Sequence, residues 1–312
     1  MSLPSHSCPF VISAAHAGSS YPEDSAELGR LLAGALESAP AAECPGELPM
    51  LVTPHIDLRV DTETYAAAFA TLLRRPSFPE TFFILGVGHR CPHEFSLAPA
   101  GFLTPLGAVD PCLGAIESIS RAISFPTARG LEGWPGEHSL EFALVWLQAV
   151  RDLAFPGARF EVVPVLLGGL WPHVLAGSPP GPRTHISRLG HALLEAARAC
   201  PNTALIASID GCHVGPRFDH PFSGAQAREG VQRWEKRLWE LCASSTHGAW
   251  FQHIARLRNE AYFDGVGVLD LLLRHDQRQA RVLRQRLWFE PQDQSFVTFT
   301  GAVLDPLPAA ES

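Results

Sequence analysis

The chain has 312 residues, of which 46% are hydrophobic, so it is long enough to bury a sizeable core. Its formal net charge is −8 and it has no cluster of lysine and arginine, so neither nucleic acid nor an anionic membrane is an expected partner. Seven scattered cysteines without C-x-x-C spacing argue against a disulfide framework and against a zinc ribbon. We see no signal peptide and no apolar run of about 20 residues, which predicts a cytoplasmic protein.

Short apolar strands alternate with amphipathic helices along the chain, a pattern typical of α/β proteins. The predicted strands cover residues 9–15, 51–53, 81–88, 160–167, 205–209, 281–289 and 295–304, with a strand pair or a covering loop at 91–107. The predicted helices cover residues 24–38, 62–73, 111–122, 139–149, 185–200, 225–243 and 250–258, and most of 262–275. Because no repeat or long linker interrupts this order, residues 1–312 are predicted to form a single domain, with a central mixed β-sheet flanked by helices.

Three of the apolar strands are followed by polar residues suited to chemistry. His55 follows one strand, His89 follows the next, and Asp210 and His213 follow a third. Open α/β sheets bind their ligands beyond the carboxyl ends of the strands. A single histidine there is more often structural, but three at the same topological position favour a metal site or an acid–base site.

A metal site is the stronger interpretation of these residues. His55 and His89 with one carboxylate, for which Asp264 is the candidate, would form the two-histidine, one-carboxylate face that holds ferrous iron. Asp264 is equally suited to cap the helix that follows it. His213 with Asp210 is then a candidate acid–base pair, although Asp210 also suits a turn. Phosphate-loop, dinucleotide and nucleophile-elbow motifs are absent, and Cys212 beside His213 is a weak candidate for a nucleophile.

Several ordered motifs over nearly the whole length resemble those of the Memo family, the B component of the AmmeMemoRadiSam set. They are His16-Ala17-Gly18-Ser19 with Tyr21, Pro54-His55, Ile84-Leu85-Gly86 with His89, Thr104-Pro105-Leu106-Gly107, Glu137-His138-Ser139-Leu140-Glu141, Val163-Pro164-Val165-Leu166, Asp210-x-x-His213-x-Gly215-x-Arg217-Phe218, and Phe299-x-Gly301-Ala302.

This resemblance implies a fold like that of the class III extradiol dioxygenases, which bind ferrous iron with two histidines and one glutamate. It implies that His55 and His89 are metal ligands and that His213 is the acid–base residue, and we place Asp210 and His138 beside it among the expected catalytic residues. Memo proteins usually carry Cys-Gly where those dioxygenases have the glutamate. The matching segment here is Phe263-Asp264-Gly265, which puts either Asp264 or Phe263 in the third ligand position.

The resulting functional expectation has two forms. The first is a non-haem iron oxygenase or redox enzyme acting on a small molecule, with Fe(II) as the cofactor and zinc as a substitute acquired in purification. The second is a non-enzymatic adaptor that binds a peptide or another protein in the same cleft. The resemblance further implies AMMECR-like and radical SAM partner proteins.

Overall fold

A large mixed β-sheet forms the centre of the computed structural model, which describes residues 10–124, 132–244 and 246–307. Within these residues the α/β fold is a single domain with helices on both faces of the sheet, so the predicted fold class is confirmed. The described strands are β1 (Phe10–Ser13), β2 (Met50–Thr53), β3 (Thr81–Val87), β4 (Phe95–Leu97), β5 (Ala100–Thr104), β6 (Gly107–Pro111), β7 (Glu161–Leu167), β8 (Thr203–Ser208), β9 (His213–Val214), β10 (Arg278–Glu290) and β11 (Ser295–Pro306).

The strand order across the sheet is β1-β5-β6-β7-β3-β8-β2-β11-β10, with β4 paired to β7 and β9 paired to β11. Its centre is parallel: β3 pairs with β7 on one side and with β8 on the other, and β8 pairs with β2. The chain closes with the long antiparallel pair β10 and β11. Because β3, β8 and β2 are parallel neighbours, their carboxyl ends meet at one edge of the sheet.

The helices α1 (Ser25–Ser38), α2 (Glu63–Phe69) and α4 (His138–Ala154) cover one face of the sheet. The other face is covered by α3 (Leu113–Ile123), α5 (Trp171–Ala176), α6 (His185–Ala199), α7 (Gly224–Ala243), α8 (His247–Arg256) and α9 (Val266–His275). Side chains of β3 alternate between the two cores, with Phe82 and Ile84 on one face and Phe83 and Leu85 on the other. A strand covered on both faces must be apolar throughout, which is why its sequence lacks polar alternation.

Several bounds differ from the predicted ones. The helix predicted at 62–73 is α-helical only to Phe69 and continues as a 3-10 turn from Ala70 to Arg74. The strand β6 and the six-residue helix α5 have no counterpart among the predicted elements, because such short elements show little periodicity. The segment 91–107 forms the short strands β4 and β5. Glycine, proline and tryptophan in residues 129–138 predict a loop, and the first part of this loop lies outside the described residues. No helix in the described ranges is long and apolar enough to cross a bilayer.

Candidate metal centre

Three neighbouring parallel strands each present a polar residue just beyond the carboxyl end. His55 follows β2, His89 follows β3 and Asp210 follows β8, in each case two residues after the last strand residue. His55 is 1% exposed, and its ring centroid lies 5.1 Å from that of His89. The predicted convergence of the two candidate ligands is therefore present, with Asp210 on the strand between them.

A third histidine completes this group from the start of a helix. His138 is the first residue of α4, and its ring centroid lies 5.0 Å from that of His55 and 4.7 Å from that of His89. One ring nitrogen from each histidine lies within 4.8 Å of the other two, so the three together could hold a metal ion. Burial and the charges of the other two rings lower the pKa of His138 to about 3, which keeps its ring neutral and able to donate a lone pair.

The position of His138 depends on a close contact between α4 and β3. A Cβ at Gly86 would lie 2.5 Å from Ser139 Oγ and 3.0 Å from Leu140 Cδ2. The Ser139 hydroxyl donates a hydrogen bond to the Val87 carbonyl oxygen at 3.0 Å. Gly86 lies inside β3, and its lack of a side chain there lets α4 approach.

Glu137 orients His89 from the N-cap position of α4. Its carboxylate accepts hydrogen bonds from the backbone N–H of Ser139 at 3.0 Å and from that of His89 at 3.1 Å. It also accepts one from His89 Nδ1 at 3.0 Å, which leaves His89 Nε2 for a ligand. Burial raises the pKa of Glu137, but these interactions with His89 and Ser139 outweigh it and lower the pKa to about 2. A buried carboxylate that holds the second nitrogen of a histidine is the usual support of a metal-binding imidazole.

The backbone of the neighbouring strand β8 holds the His55 ring in one orientation. Its Nδ1 lies 3.2 Å from the carbonyl oxygen of Ser208, which can only accept, so Nδ1 carries a proton. In the neutral ring Nε2 therefore presents a lone pair, and this atom lies 3.0 Å from Asp264 Oδ2. His55 Nε2 and both Asp264 oxygens are buried without a hydrogen bond of good geometry. Burial lowers the pKa of His55, but Asp210 and Asp264 outweigh it and raise that pKa to about 10, so without a cation a proton occupies this position.

Of the two residues left open for the third ligand position, Asp264 faces the cluster. Phe263 is 1% exposed and packs in the core, where the Asn259 side chain bonds both its N–H and its carbonyl oxygen. Asp264 does not cap α9, because the N-cap residue of this helix is Gly265 and no side chain makes a capping hydrogen bond there. Asp264 contacts the three-histidine group at His55. Among the described residues, the group whose possible ligand atoms all lie within 4.8 Å of one another consists of the three histidines and does not include Asp264.

Asp210 holds the backbone of His55 through its carboxylate. Its Oδ1 accepts the backbone N–H of His55 at 2.9 Å, and its Oδ2 lies 3.8 Å from His55 Nε2. Burial raises the pKa of Asp210, and the neighbouring Asp264 carboxylate acts in the same direction. Asp210 and His213 were predicted to form an acid–base pair, but Asp210 accepts the backbone N–H of His55, whereas His213 Nδ1 bonds the Tyr262 carbonyl oxygen.

A comparison with known proteins adds to this geometry. The model of the family described as Memo-like protein matches residues 13–287. The chain belongs to the Memo-like family. A MEMO1 family protein of Thermus thermophilus is 33% identical over 281 residues, which span 88% of this chain and 76% of that protein. A MEMO1 family protein of Aquifex aeolicus is 24% identical over 92% of this chain and 71% of its own length. A memo-1 homolog of Caenorhabditis elegans is 30% identical over 66% of this chain and 53% of its own.

In this Memo-like protein His213 has a fixed tautomer at the side of the cluster. Its backbone N–H donates to the Ala261 carbonyl oxygen at 2.9 Å, and its Nδ1 donates to the Tyr262 carbonyl oxygen at 3.2 Å. The half-buried ring therefore keeps Nε2 as a proton acceptor. Tyr262 has a φ of 47° and Asn259 a φ of 51°, left-handed conformations that non-glycine residues adopt mainly where surrounding structure imposes them.

Sequence reasoning missed the contacts by which two glutamates position the candidate ligand His89 and the neighbouring His16. Glu137 holds His89, and Glu141 holds the segment that carries His16. The Glu141 carboxylate accepts the backbone N–H of His16 at 2.9 Å and the Tyr21 hydroxyl at 2.5 Å. This places the His16 ring 5.5 Å from that of His138. The signal that could have found them is the pair of carboxylates four residues apart in the Glu137–Glu141 motif, which puts both on one side of a helix.

Proposed function

We propose that His55, His89, His138 and Asp264 hold one divalent metal ion, and that this Memo-like protein uses it in redox or oxygenase chemistry on a small molecule. Iron is the metal we expect in the cell, by the resemblance to the extradiol dioxygenases, and zinc is the expected substitute after purification in air. The membership of the family and the three-histidine group support a metal site. The choice of iron and the chemistry are the proposal.

One observation carries the proposal. The Ser208 carbonyl oxygen requires a proton on Nδ1 of His55, and Nε2 faces the Asp264 carboxylate at 3.0 Å, so a proton or a metal ion must occupy the Nε2 position. Two buried acceptors in contact are stable only with a cation between or beside them. A metal ion would satisfy His55 Nε2 and both orphaned oxygens of Asp264 together.

The donor set determines which ions suit this site. Imidazole nitrogens suit iron, zinc, copper and nickel, and an added carboxylate favours the harder ions of that series. When bound with open positions, ferrous iron supplies a place for O₂ and substrate to meet. Glu137 fixes the His89 ring for this purpose, and the neutral His138 ring is ready to donate without first losing a proton.

His213 is the proposed proton acceptor beside the metal. Its Nδ1 is committed to the Tyr262 carbonyl oxygen, so Nε2 is free to take a proton from a substrate hydroxyl. His213 is near enough to Asp264 and Asp210 for its charge to act on the pKa of each carboxylate.

The alternative is a binding protein, and the surface beside His213 favours it. Trp171, Tyr262 and Phe222 are 44%, 37% and 40% exposed. The His220 ring joins this row, with its centroid 4.7 Å from Tyr262 and 4.9 Å from Phe222. An exposed aromatic row beside a cleft suits a peptide or partner surface. AMMECR-like and radical SAM proteins remain proposed partners by resemblance.

Anaerobic metal analysis of freshly purified protein tests the proposal. Wild type should carry about one divalent metal per chain, and the double variant His55→Ala with His89→Ala should carry none while keeping its circular dichroism spectrum. The matched control removes two histidines elsewhere, His173→Ala with His220→Ala, and should keep the metal. Full metal content in the His55/His89 variant would refute the site.

Two further measurements separate the enzyme from the binding protein. Iron-loaded wild type should consume O₂ in the presence of small hydroxylated aromatic compounds, and His213→Ala should consume less while retaining iron. Iron-loaded protein that consumes no O₂, but whose affinity for peptides falls on Trp171→Ala, would favour the binding role.

A further inference from the structure

A pair of cysteines lies at the edge of the sheet opposite the histidines. Cys112 is the N-cap of α3, and Cys200 is the C-cap of α6. The backbone N–H of Cys112 donates to the Val162 carbonyl oxygen near the start of β7 at 2.8 Å. The Thr203 hydroxyl, at the first residue of β8, donates to the Cys200 carbonyl oxygen at 3.0 Å. These anchors place both residues at the amino ends of the parallel strands.

The two side chains are in contact within a shared surface groove. Cys112 and Cys200 are both half-buried, and both line a groove of about 840 Å³ with Phe78, Phe160 and Glu161. The Cys112 thiol donates a hydrogen bond to the Cys200 sulfur, and the Glu161 carboxylate lies beside the Cys112 thiol. The helices α3 and α6 pack along each other, so this contact does not depend on a loose segment.

We propose that Cys112 and Cys200 form a reversible disulfide, a modification site oxidised by a low-molecular-weight disulfide such as glutathione disulfide. Thiols in contact need no change in fold to link, since a disulfide requires only that the two Cβ atoms approach to roughly 4 Å with suitable direction. The groove gives a small oxidant access to both sulfurs. The site is independent of the proposed metal function.

The chemistry follows from the hydrogen bonds. Cys200 loses its proton to solvent and attacks one sulfur of glutathione disulfide, which forms a mixed disulfide on Cys200 and releases one glutathione thiolate. Cys112 then loses its proton to solvent and attacks the Cys200 sulfur, and the second glutathione leaves as a thiolate. Two protein thiols are thereby oxidised, and one glutathione disulfide takes up two electrons.

The order of attack is set by the surroundings of the two thiols. Burial raises the pKa of Cys112 to about 11, and Glu161 acts in the same direction. Burial also raises the pKa of Cys200, but the hydrogen bond from Cys112 opposes that rise. Cys200 is therefore the better source of the attacking thiolate, and Cys112 is placed to resolve the mixed disulfide.

The other cysteines differ from this pair in their burial or in their place in the fold. Cys212 and Cys242 are fully buried, and burial raises the pKa of both thiols, so neither is open to a small oxidant. Cys44 is also buried. Cys91 is half-buried but lies beyond the carboxyl end of β3, where its backbone N–H donates to the Gly88 carbonyl oxygen, so it is at the opposite strand ends from the pair. Cys8 lies outside the described residues and is best replaced by serine in the protein used for the test.

The test treats the full-length Cys8→Ser protein with glutathione disulfide at pH 8, blocks free thiols with N-ethylmaleimide and maps the digest by mass spectrometry. The expected product is one cross-linked peptide pair joining Cys112 to Cys200, which dithiothreitol reverses. In Cys112→Ser, which keeps a good N-cap residue, Cys200 should instead accumulate a glutathione adduct. Cys200→Ser should leave Cys112 at least about tenfold less modified.

Full alkylation of both residues in the treated Cys8→Ser protein would overturn the proposal, as would separate glutathione adducts without a cross-link. A native circular dichroism spectrum for both serine variants shows that each result refers to folded protein. Because the pair lies at the opposite strand ends from the histidines, metal content should be equal in the oxidised and reduced proteins, so failure here is distinguishable from failure of the metal proposal.

Discussion

Two buried histidine–carboxylate groups in this protein resemble each other in composition and differ in how their polar atoms are satisfied. In the first, Asp270 on α9 is 1% exposed and contacts His247 Nε2 at 2.9 Å, and it also pairs with Arg274. In the second, the Asp264 carboxylate lies 3.0 Å from His55 Nε2, and within the described ranges neither of its oxygens has a hydrogen bond of good geometry. A satisfied group stabilises the fold, whereas the unsatisfied oxygens of Asp264 fit the metal site that we propose.

A third buried carboxyl, Glu235 on α7, shows that an orphaned oxygen alone does not make a metal site. Glu235 is 1% exposed and lies among Thr298, Trp239 and Gln285, and its Oε1 has no hydrogen-bond partner. Burial raises the pKa of Glu235 from 4.5 to about 7, so Glu235 keeps its proton up to about that pH. The charge of His55 instead lowers the pKa of Asp264, so Asp264 loses its proton. A neighbouring histidine, which can give its Nε2 proton up to a metal ion, distinguishes Asp264 from Glu235.

Breaking the satisfied group should have the largest effect on stability. Asp270→Ala leaves the partly buried Arg274 without its carboxylate and is expected to cost roughly 3 kcal/mol, near the low end for a broken buried ion pair, because Arg274 keeps some solvent access. Urea unfolding measures this. The control Asp152→Ala removes a surface partner of Arg151, 52% exposed, and should change stability by less than about 0.5 kcal/mol. Loss of metal in Asp270→Ala protein that is still folded would contradict the separation of the two groups.

The protonated carboxyl of Glu235 predicts that the free energy of unfolding depends on pH. The folded state keeps the Glu235 proton up to about pH 7 while the unfolded state loses it near pH 4.5, so the free energy of unfolding falls as the pH rises through this window and levels off above it. Glu235→Gln should remove a fall on the order of 3 kcal/mol, since the rise in pKa from 4.5 to about 7 corresponds to about 1.4 kcal/mol for each pKa unit. Urea melts at pH 4.5, 6 and 8 measure the difference. Glu229→Gln, 88% exposed on the same helix, should keep the wild-type profile.

The close approach that positions His138 can be tested at Gly86. Gly86→Ala puts a Cβ 2.5 Å from Ser139 Oγ and should cost about 2 kcal/mol, in the range for overpacking a core. It should also weaken metal binding, because the start of α4 must move away from His89. Gly114→Ala in α3, where a Cβ meets nothing within 4 Å, should be neutral or stabilising by about 0.5–1 kcal/mol. Wild-type metal affinity in Gly86→Ala would show that the α4 position is unimportant for the site.

Replacing Asp264 should have the smallest effect on folding and a specific effect on the metal. Asp264→Ala is expected to lower the affinity for iron by about 10–100-fold, the range for losing a group that supports a metal ligand. Asp264→Cys should recover part of the binding and shift the preference toward zinc or Cu(I). Anaerobic titration measures both. The control Asp57→Ala removes a carboxylate that pairs with Arg59, and unchanged affinity is expected there; equal affinities for wild type and Asp264→Ala would exclude Asp264 from the site.

Much of this arrangement is predictable from the sequence, because apolar strands and the residues after them are local features. The uninterrupted apolar runs of β2, β3 and β8 indicate buried parallel strands, and this places His55 and His89 at one edge. The grouping of His138 with them was not predictable from local pattern. It depends on the contact of Ser139 with Gly86, residues 53 positions apart in the chain.

The choice between Asp264 and Phe263 was also beyond local pattern. It depends on Asn259 holding the backbone of Phe263 from a left-handed conformation, which no periodicity reveals. The same limit applies to Glu137, whose sequence position as an N-cap does not show that its carboxylate also binds His89.

The central claim is that the orphaned Asp264–His55 contact belongs to a metal site shared with His89 and His138. Anomalous diffraction at the iron edge, from crystals of metal-depleted protein soaked anaerobically in Fe(II), tests it most directly. We predict a single strong anomalous peak among the ring nitrogens of His55, His89 and His138, beside the Asp264 carboxylate. No peak there at saturating Fe(II), or a peak at another group such as His247 and Asp270, would contradict the account.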